Sequence, residues 1–143
     1  MKQRLFFLHL ILILSFCSPS KGETNKIART STPTNKTVSI EVLPDSNAKY
    51  KLRVSVPTGF GIQREAPNRI LLSGESGLQV VSADTRFQGE TNSKKKDYFL
   101  YVKDMPIQLQ GKGKLLLHGK VFYCDYSLNI CKFEKVEKTV MIP

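Results

Sequence analysis

Apolar and polar residues alternate along most of the chain beyond residue 37, which is the pattern of β-strands with one buried face. The first alternating run covers residues 38–42 and the second covers 50–56, on either side of a turn-forming segment at 44–47. Further runs are separated by Gly, Pro, Asn or Asp residues and occupy positions 69–73, 78–82, 98–103, 107–110, 114–124 and 131–142. These runs follow one another at short intervals, and none of them has a helical period. The pattern therefore predicts one all-β domain over residues 37–143, an antiparallel β-sandwich.

The last two runs predict a C-terminal hairpin that carries two cysteines. Cys124 ends the first strand of this hairpin and Cys131 begins the second. The first strand has apolar residues at both parities, so we expect it to be covered on both faces over part of its length. His118 and Gly119 interrupt its apolar pattern, and we expect a β-bulge at that point.

The N-terminus has the features of an export signal. Lys2 and Arg4 precede an apolar run at residues 5–14, which is too short to span a bilayer comfortably. The following Leu-Ser-Phe-Cys resembles the lipobox of bacterial lipoproteins, in which the cysteine, here Cys17, becomes lipidated. A competing cleavage site after Gly22 would remove Cys17 with the signal.

These features predict a signal peptide at residues 1–22, a disordered tether at 23–36 and the β-sandwich domain at 37–143. We expect an exported protein of the bacterial cell envelope, held by its N-terminal lipid in the periplasm or at the outer membrane. Export places the domain outside the reducing cytosol, where disulfides persist. With Cys17 lipidated or removed, Cys124 and Cys131 are the two cysteines left to form an intramolecular disulfide.

Composition excludes several function classes. The formal net charge is +10, but the basic residues are scattered apart from the cluster at 94–96, and we predict no nucleic-acid partner. His118, the one histidine outside the signal, lies mid-strand, and no G-x-S-x-G or similar context supports a Ser/His/Asp triad, so the chain has no hydrolase signature. Two cysteines and one histidine lack the paired spacing of a metal site, and we predict neither a metal nor a cofactor.

Four short segments together resemble a known group of domains. Residues 56–60, Val-Pro-Thr-Gly-Phe, and 65–69, Glu-Ala-Pro-Asn-Arg, resemble the opening of the β-domain that follows thioredoxin and NHL-repeat modules in some proteins. The hairpin segment 121–131 and the ending 138–143 resemble the closing hairpin of that domain. The hairpin is also similar to that of the N-terminal periplasmic domain of the thiol:disulfide interchange protein DsbD.

This resemblance implies an immunoglobulin-like sandwich in which Cys124 and Cys131 are a redox pair. The pair would pass electrons between a membrane redox protein and thioredoxin-like partners, and Phe87, in the segment 84–89, would be the lid of a cap loop over it. The chain departs from the DsbD pattern in having six residues between the cysteines instead of five. It also has Gly61 and Gln63 where that domain tends to place tyrosines.

Two functions remain open at this point. In the first, Cys124 and Cys131 exchange with a partner disulfide; Asp125 would disfavour a thiolate at Cys124, whereas Lys120 and Lys132 would favour it. In the second, the disulfide is a structural staple in a non-catalytic envelope lipoprotein that binds other proteins. Closing so short a loop would contribute roughly 2.5 kcal/mol to the stability of the domain.

Overall fold

The computed structural model describes residues 36–46 and 49–143, which contain ten β-strands. The signal peptide, Cys17 and all but the last residue of the expected tether lie outside the described residues. The strands are β1 (Ser39–Pro44), β2 (Lys49–Ser55), β3 (Phe60–Ile62), β4 (Arg69–Glu75), β5 (Gln79–Ala83), β6 (Gly89–Thr91), β7 (Phe99–Val102), β8 (Met105–Gln110), β9 (Gly113–Asp125) and β10 (Ile130–Ile142).

The strands form two larger antiparallel sheets and one small ribbon. The first sheet has the order β1-β2-β8-β5, and the second has the order β10-β9-β3, with β4 pairing β9 as well. β6 and β7 form the two-stranded ribbon, which joins the second sheet through a bridge between Gln63 and Tyr98. Among the described residues, no helix has the length and apolar character needed to cross a membrane.

One hydrophobic core lies between the two sheets. Both contribute alternate residues of their strands to it, as the period-2 pattern requires. The first sheet supplies Ile40, Leu52, Val54, Ile107 and Leu109, and the second supplies Ile62, Ile70, Leu115, Leu117, Val121, Tyr123, Val136 and Ile142. The predicted all-β antiparallel sandwich with a C-terminal cysteine hairpin is therefore confirmed.

The register between β9 and β10 runs without a shift along the whole hairpin, from Ile130 opposite Asp125 to Ile142 opposite Gly113. The bulge expected near His118 is therefore wrong. Gly119 has a different role: a Cβ atom added there would lie 1.9 Å from the backbone oxygen of Arg69 in β4. Glycine lets β4 approach β9 closely without disturbing the ladder.

The other edge of β9 is shared by two short strands. β3 pairs with the end of β9 that carries Cys124, and β4 pairs with residues 114–120. Between them the amide of Gln63 donates to the carbonyl of Phe122 (3.0 Å), and the amide of Phe122 donates to Oδ1 of Asn68 (2.8 Å). Nδ2 of Asn68 donates to the carbonyl of Gln63 (2.6 Å). The side chain of Asn68 thus provides hydrogen-bond partners for two backbone groups at the break between β3 and β4, where neither strand pairs with β9.

Replacing Asn68 by alanine should lower the free energy of unfolding by about 1–3 kcal/mol, because the amide of Phe122 and the carbonyl of Gln63 would lose their partner. Urea unfolding of the oxidised protein measures this loss. Gln79→Ala, at an exposed strand position, is the matched control and should change stability by less than about 0.5 kcal/mol. Equal effects of the two substitutions would contradict the role given to Asn68.

Candidate functional site

The candidate site is the disulfide at the closed end of the β9–β10 hairpin. Cys124 and Cys131 are directly opposite each other in the ladder, with their Cα atoms 3.9 Å apart, and their sulfurs are bonded. Paired residues project from the same face of a sheet, so a disulfide here needs only the hairpin register that the strands already have. The predicted pairing of the two cysteines is confirmed.

The turn that joins the strands is held by Asp125. Its Oδ1 atom accepts hydrogen bonds from the amide and hydroxyl of Ser127 (2.8 and 2.6 Å) and from the amide of Leu128 (3.2 Å). The hydroxyl bond of Ser127 is the main reason that the pKa of Asp125 lies below its ordinary value. Asn129 closes the turn with a φ of 53°, a left-handed conformation that asparagine tolerates.

The two cysteines differ sharply in exposure. Cys124 is 1% exposed, whereas Cys131 is an exposed residue on the outer strand β10. Almost none of Cys124 reaches solvent, so Cys131 is the end of the disulfide that other molecules can approach.

Cys124 faces away from the hydrophobic core, so a second layer must cover it. Its neighbour on β3 is Gly61, and a Cβ atom added to Gly61 would lie 1.9 Å from the hydroxyl oxygen of Tyr126. Directly paired residues share a face, so Tyr126 lies over the position next to Cys124. The amide of Tyr126 also donates to the carbonyl of Gly59 (2.9 Å), which fixes the turn against the start of β3.

A second aromatic residue and a lysine hold Tyr126 in place. The ring of Tyr98 meets it edge to face at 5.2 Å, and Nζ of Lys95 lies 4.4 Å from its centroid. Burial, and to a smaller extent Tyr98, raise the pKa of Tyr126 above its ordinary value. Its hydroxyl therefore keeps its proton at neutral pH.

Apolar residues lie on the accessible side of the disulfide. Phe133 projects from the same face as Cys131, two residues further along β10, and is 55% exposed. Its ring packs on Phe122 at 5.8 Å, and Nζ of Lys120 lies 5.0 Å from its centroid. Cys131 thus lies beside an exposed aromatic residue whose ring makes a cation–π contact with a lysine.

The structure places Tyr126 over the position next to Cys124, whereas the family resemblance suggests Phe87 as the lid. Phe87 is half-buried and packs against the hydrophobic core, and its role as a cap stays a prediction. Tyr126 is not among the residues that the sequence pattern singles out, although it lies between the two cysteines. A glycine inside a strand signals the close approach of another group, but β3 is too short for the sequence to place Gly61 in a strand.

His118 is exposed on β9. Within residues 36–46 and 49–143, no three His, Cys, Asp or Glu side chains come together in a group that could hold a metal ion. No protein-family model matches the chain, and no curated protein matches it either.

Replacing Gly61 by alanine should displace Tyr126 and lower the free energy of unfolding by about 1–3 kcal/mol, since the added methyl group occupies the space of the hydroxyl. In a Tyr126→Ala background the same substitution should cost at least about 1 kcal/mol less, because the clash is gone. Urea unfolding of the two single variants, the double variant and the parent gives this coupling. Additive losses would refute the contact.

Proposed function

We propose that this domain exchanges its disulfide with the cysteines of a thioredoxin-like partner, and that Cys131 is the residue joined to the partner. The observation that carries the proposal is the contrast between an exposed Cys131 and a buried Cys124. A thiol that attacks a disulfide must reach one of its two sulfurs, and the unequal exposure of the two residues would direct that attack to Cys131.

The exchange proceeds in two balanced steps. A partner thiolate attacks the sulfur of Cys131; the bond to Cys124 breaks, a bond between the partner and Cys131 forms, and Cys124 leaves as a thiolate that takes up a proton. The second thiolate of the partner then attacks its own bonded sulfur and releases Cys131, which is protonated in turn. Two electrons and two protons reach this domain, and the partner becomes a disulfide. The reverse sequence oxidises the domain.

Incubation with a thioredoxin whose resolving cysteine is replaced by serine tests this order of attack, because the first intermediate cannot then be resolved. Mass mapping should find the partner bonded to Cys131 and the thiol of Cys124 free. The two single cysteine variants lack the disulfide, so they are tested with a thioredoxin that carries an activated disulfide. Cys124→Ser should form an adduct with it through Cys131. Cys131→Ser is the matched control and should form none. An adduct at Cys124, or none in the oxidised parent, would contradict the proposal.

A structural disulfide in an interaction lipoprotein is the second candidate, and the exposed Leu128 (63%) and Ile130 (46%) at the hairpin end favour a protein partner of that kind. The reduction potential of the pair separates the two functions. Equilibration with dithiothreitol or glutathione buffers should give a reduction potential of about −200 mV if the pair exchanges. A value below about −300 mV would favour the staple.

We also propose that the domain works outside the cytosol, anchored by a lipid on Cys17. The export features of residues 1–22 and the disulfide support this, since disulfides are rare in reducing compartments. The intact mass of the mature protein from a bacterial host checks it: a chain that begins at an acylated Cys17 is expected. A chain that begins after Gly22 would exclude the lipid anchor.

A further inference from the structure

Two lysines contact aromatic residues that lie close to the disulfide. Lys95 stacks on Tyr126, which covers the position next to Cys124, and Lys120 stacks on Phe133, two residues from Cys131 (4.4 and 5.0 Å from the ring centroids). Both lysines remain exposed. The cation–π contacts therefore hold two positive charges against these aromatic residues while leaving them open to a partner.

Lysines outnumber carboxylates on the segments that flank the disulfide. Lys95 lies in the loop 92–98 with two more lysines and a single acid, Asp97. On β9, Lys120 shares the face of Cys124, whereas Asp125 lies at the opposite parity and projects from the other face. On the disulfide's face of β10, Glu137 forms an ion pair with Lys135 (2.5 Å).

Glu134 lies at the opposite parity of β10 from Cys131 and projects from the other face of the sheet. Its Oε2 atom accepts hydrogen bonds from the amides of Thr37 and Val38, both at 3.0 Å. Exposed aromatic rings are typical of protein interfaces, and positive charge around such a ring selects a partner of opposite charge.

Resting on the exchange function above, we propose that Cys131, Phe133, Lys95 and Lys120 form a docking surface for a thiol protein whose reactive cysteine is surrounded by acidic residues. The lysines would raise the rate of encounter with such a partner, and salt would weaken the effect. They would also stabilise the thiolate that leaves from Cys124 beside Asp125. The docking surface would determine which partner binds, and the disulfide would carry out the exchange.

Three cysteine peptides of equal length test the proposal. Each contains one phenylalanine, and they differ only in whether the residues flanking the cysteine are Asp, Ser or Lys. The rate of mixed-disulfide formation at Cys131 of the oxidised full-length protein is divided by the rate of the same peptide with 2-hydroxyethyl disulfide, which removes differences in thiol reactivity. We expect the normalised rate of the Asp peptide to exceed that of the Lys peptide by about tenfold at low salt, and the ratio to shrink as salt rises.

Substitutions then assign the preference to this surface. The double variant Lys95→Gln, Lys120→Gln should lose most of the preference for the Asp peptide, with the disulfide still intact. Lys112→Gln, an exposed lysine beside the opposite end of β9, is the matched control and should keep it. Thermal unfolding of each variant confirms that the fold is retained.

Each outcome decides a separate point. Equal normalised rates for the three peptides would overturn the docking surface, while the adduct at Cys131 would leave the exchange function standing. A preference that survives in the Lys95, Lys120 variant would also overturn the assignment of these residues. No adduct at Cys131 with any peptide would overturn the exchange function, and the docking proposal with it.

Discussion

The register between β9 and β10 is the constraint on which both the core and the candidate site depend. Leu117 and Val121 face the core, so Cys124, at the opposite parity of β9, must face outward. A slip of one residue would separate Cys124 from Cys131 and turn both apolar residues toward solvent. The unbroken ladder along the hairpin resists that slip, and the hydrogen bonds of Asp125 fix it at the turn.

An outward-facing cysteine would ordinarily be exposed, and the burial of Cys124 has a local cause. The neighbouring strand offers Gly61, whose missing side chain leaves room for Tyr126 to fold back from the turn. Tyr98 reaches the same place from the ribbon of β6 and β7. The unequal exposure of the two cysteines thus has a local source: the hairpin's own turn covers the position next to Cys124, and among the described residues β10 has no comparable cover over Cys131.

Sequence patterns predicted the longer strands and the disulfide because those features rest on local alternation and on a small cysteine inventory. The three-residue strands β3 and β6 are too short to show a period, and they form because β9 and β7 offer partners. The pattern at Gly119 predicts a bulge, whereas in the structure this glycine lets β4 lie close to β9. The contact of Tyr126 with Gly61 joins residues far apart in sequence, so only the assembled sheet could reveal it.

Charge gives the two cysteines different roles once the disulfide opens. A thiolate at Cys124 would be buried and next to the carboxylate of Asp125, and both conditions disfavour a negative charge. Cys131 is exposed, so a thiolate there would keep its solvation and form more easily. In the proposed exchange, the reduced domain would therefore attack a partner disulfide through Cys131. The lysines that contact Tyr126 and Phe133 would lower the cost of releasing Cys124, which in this proposal links the choice of partner to the chemistry of the bond.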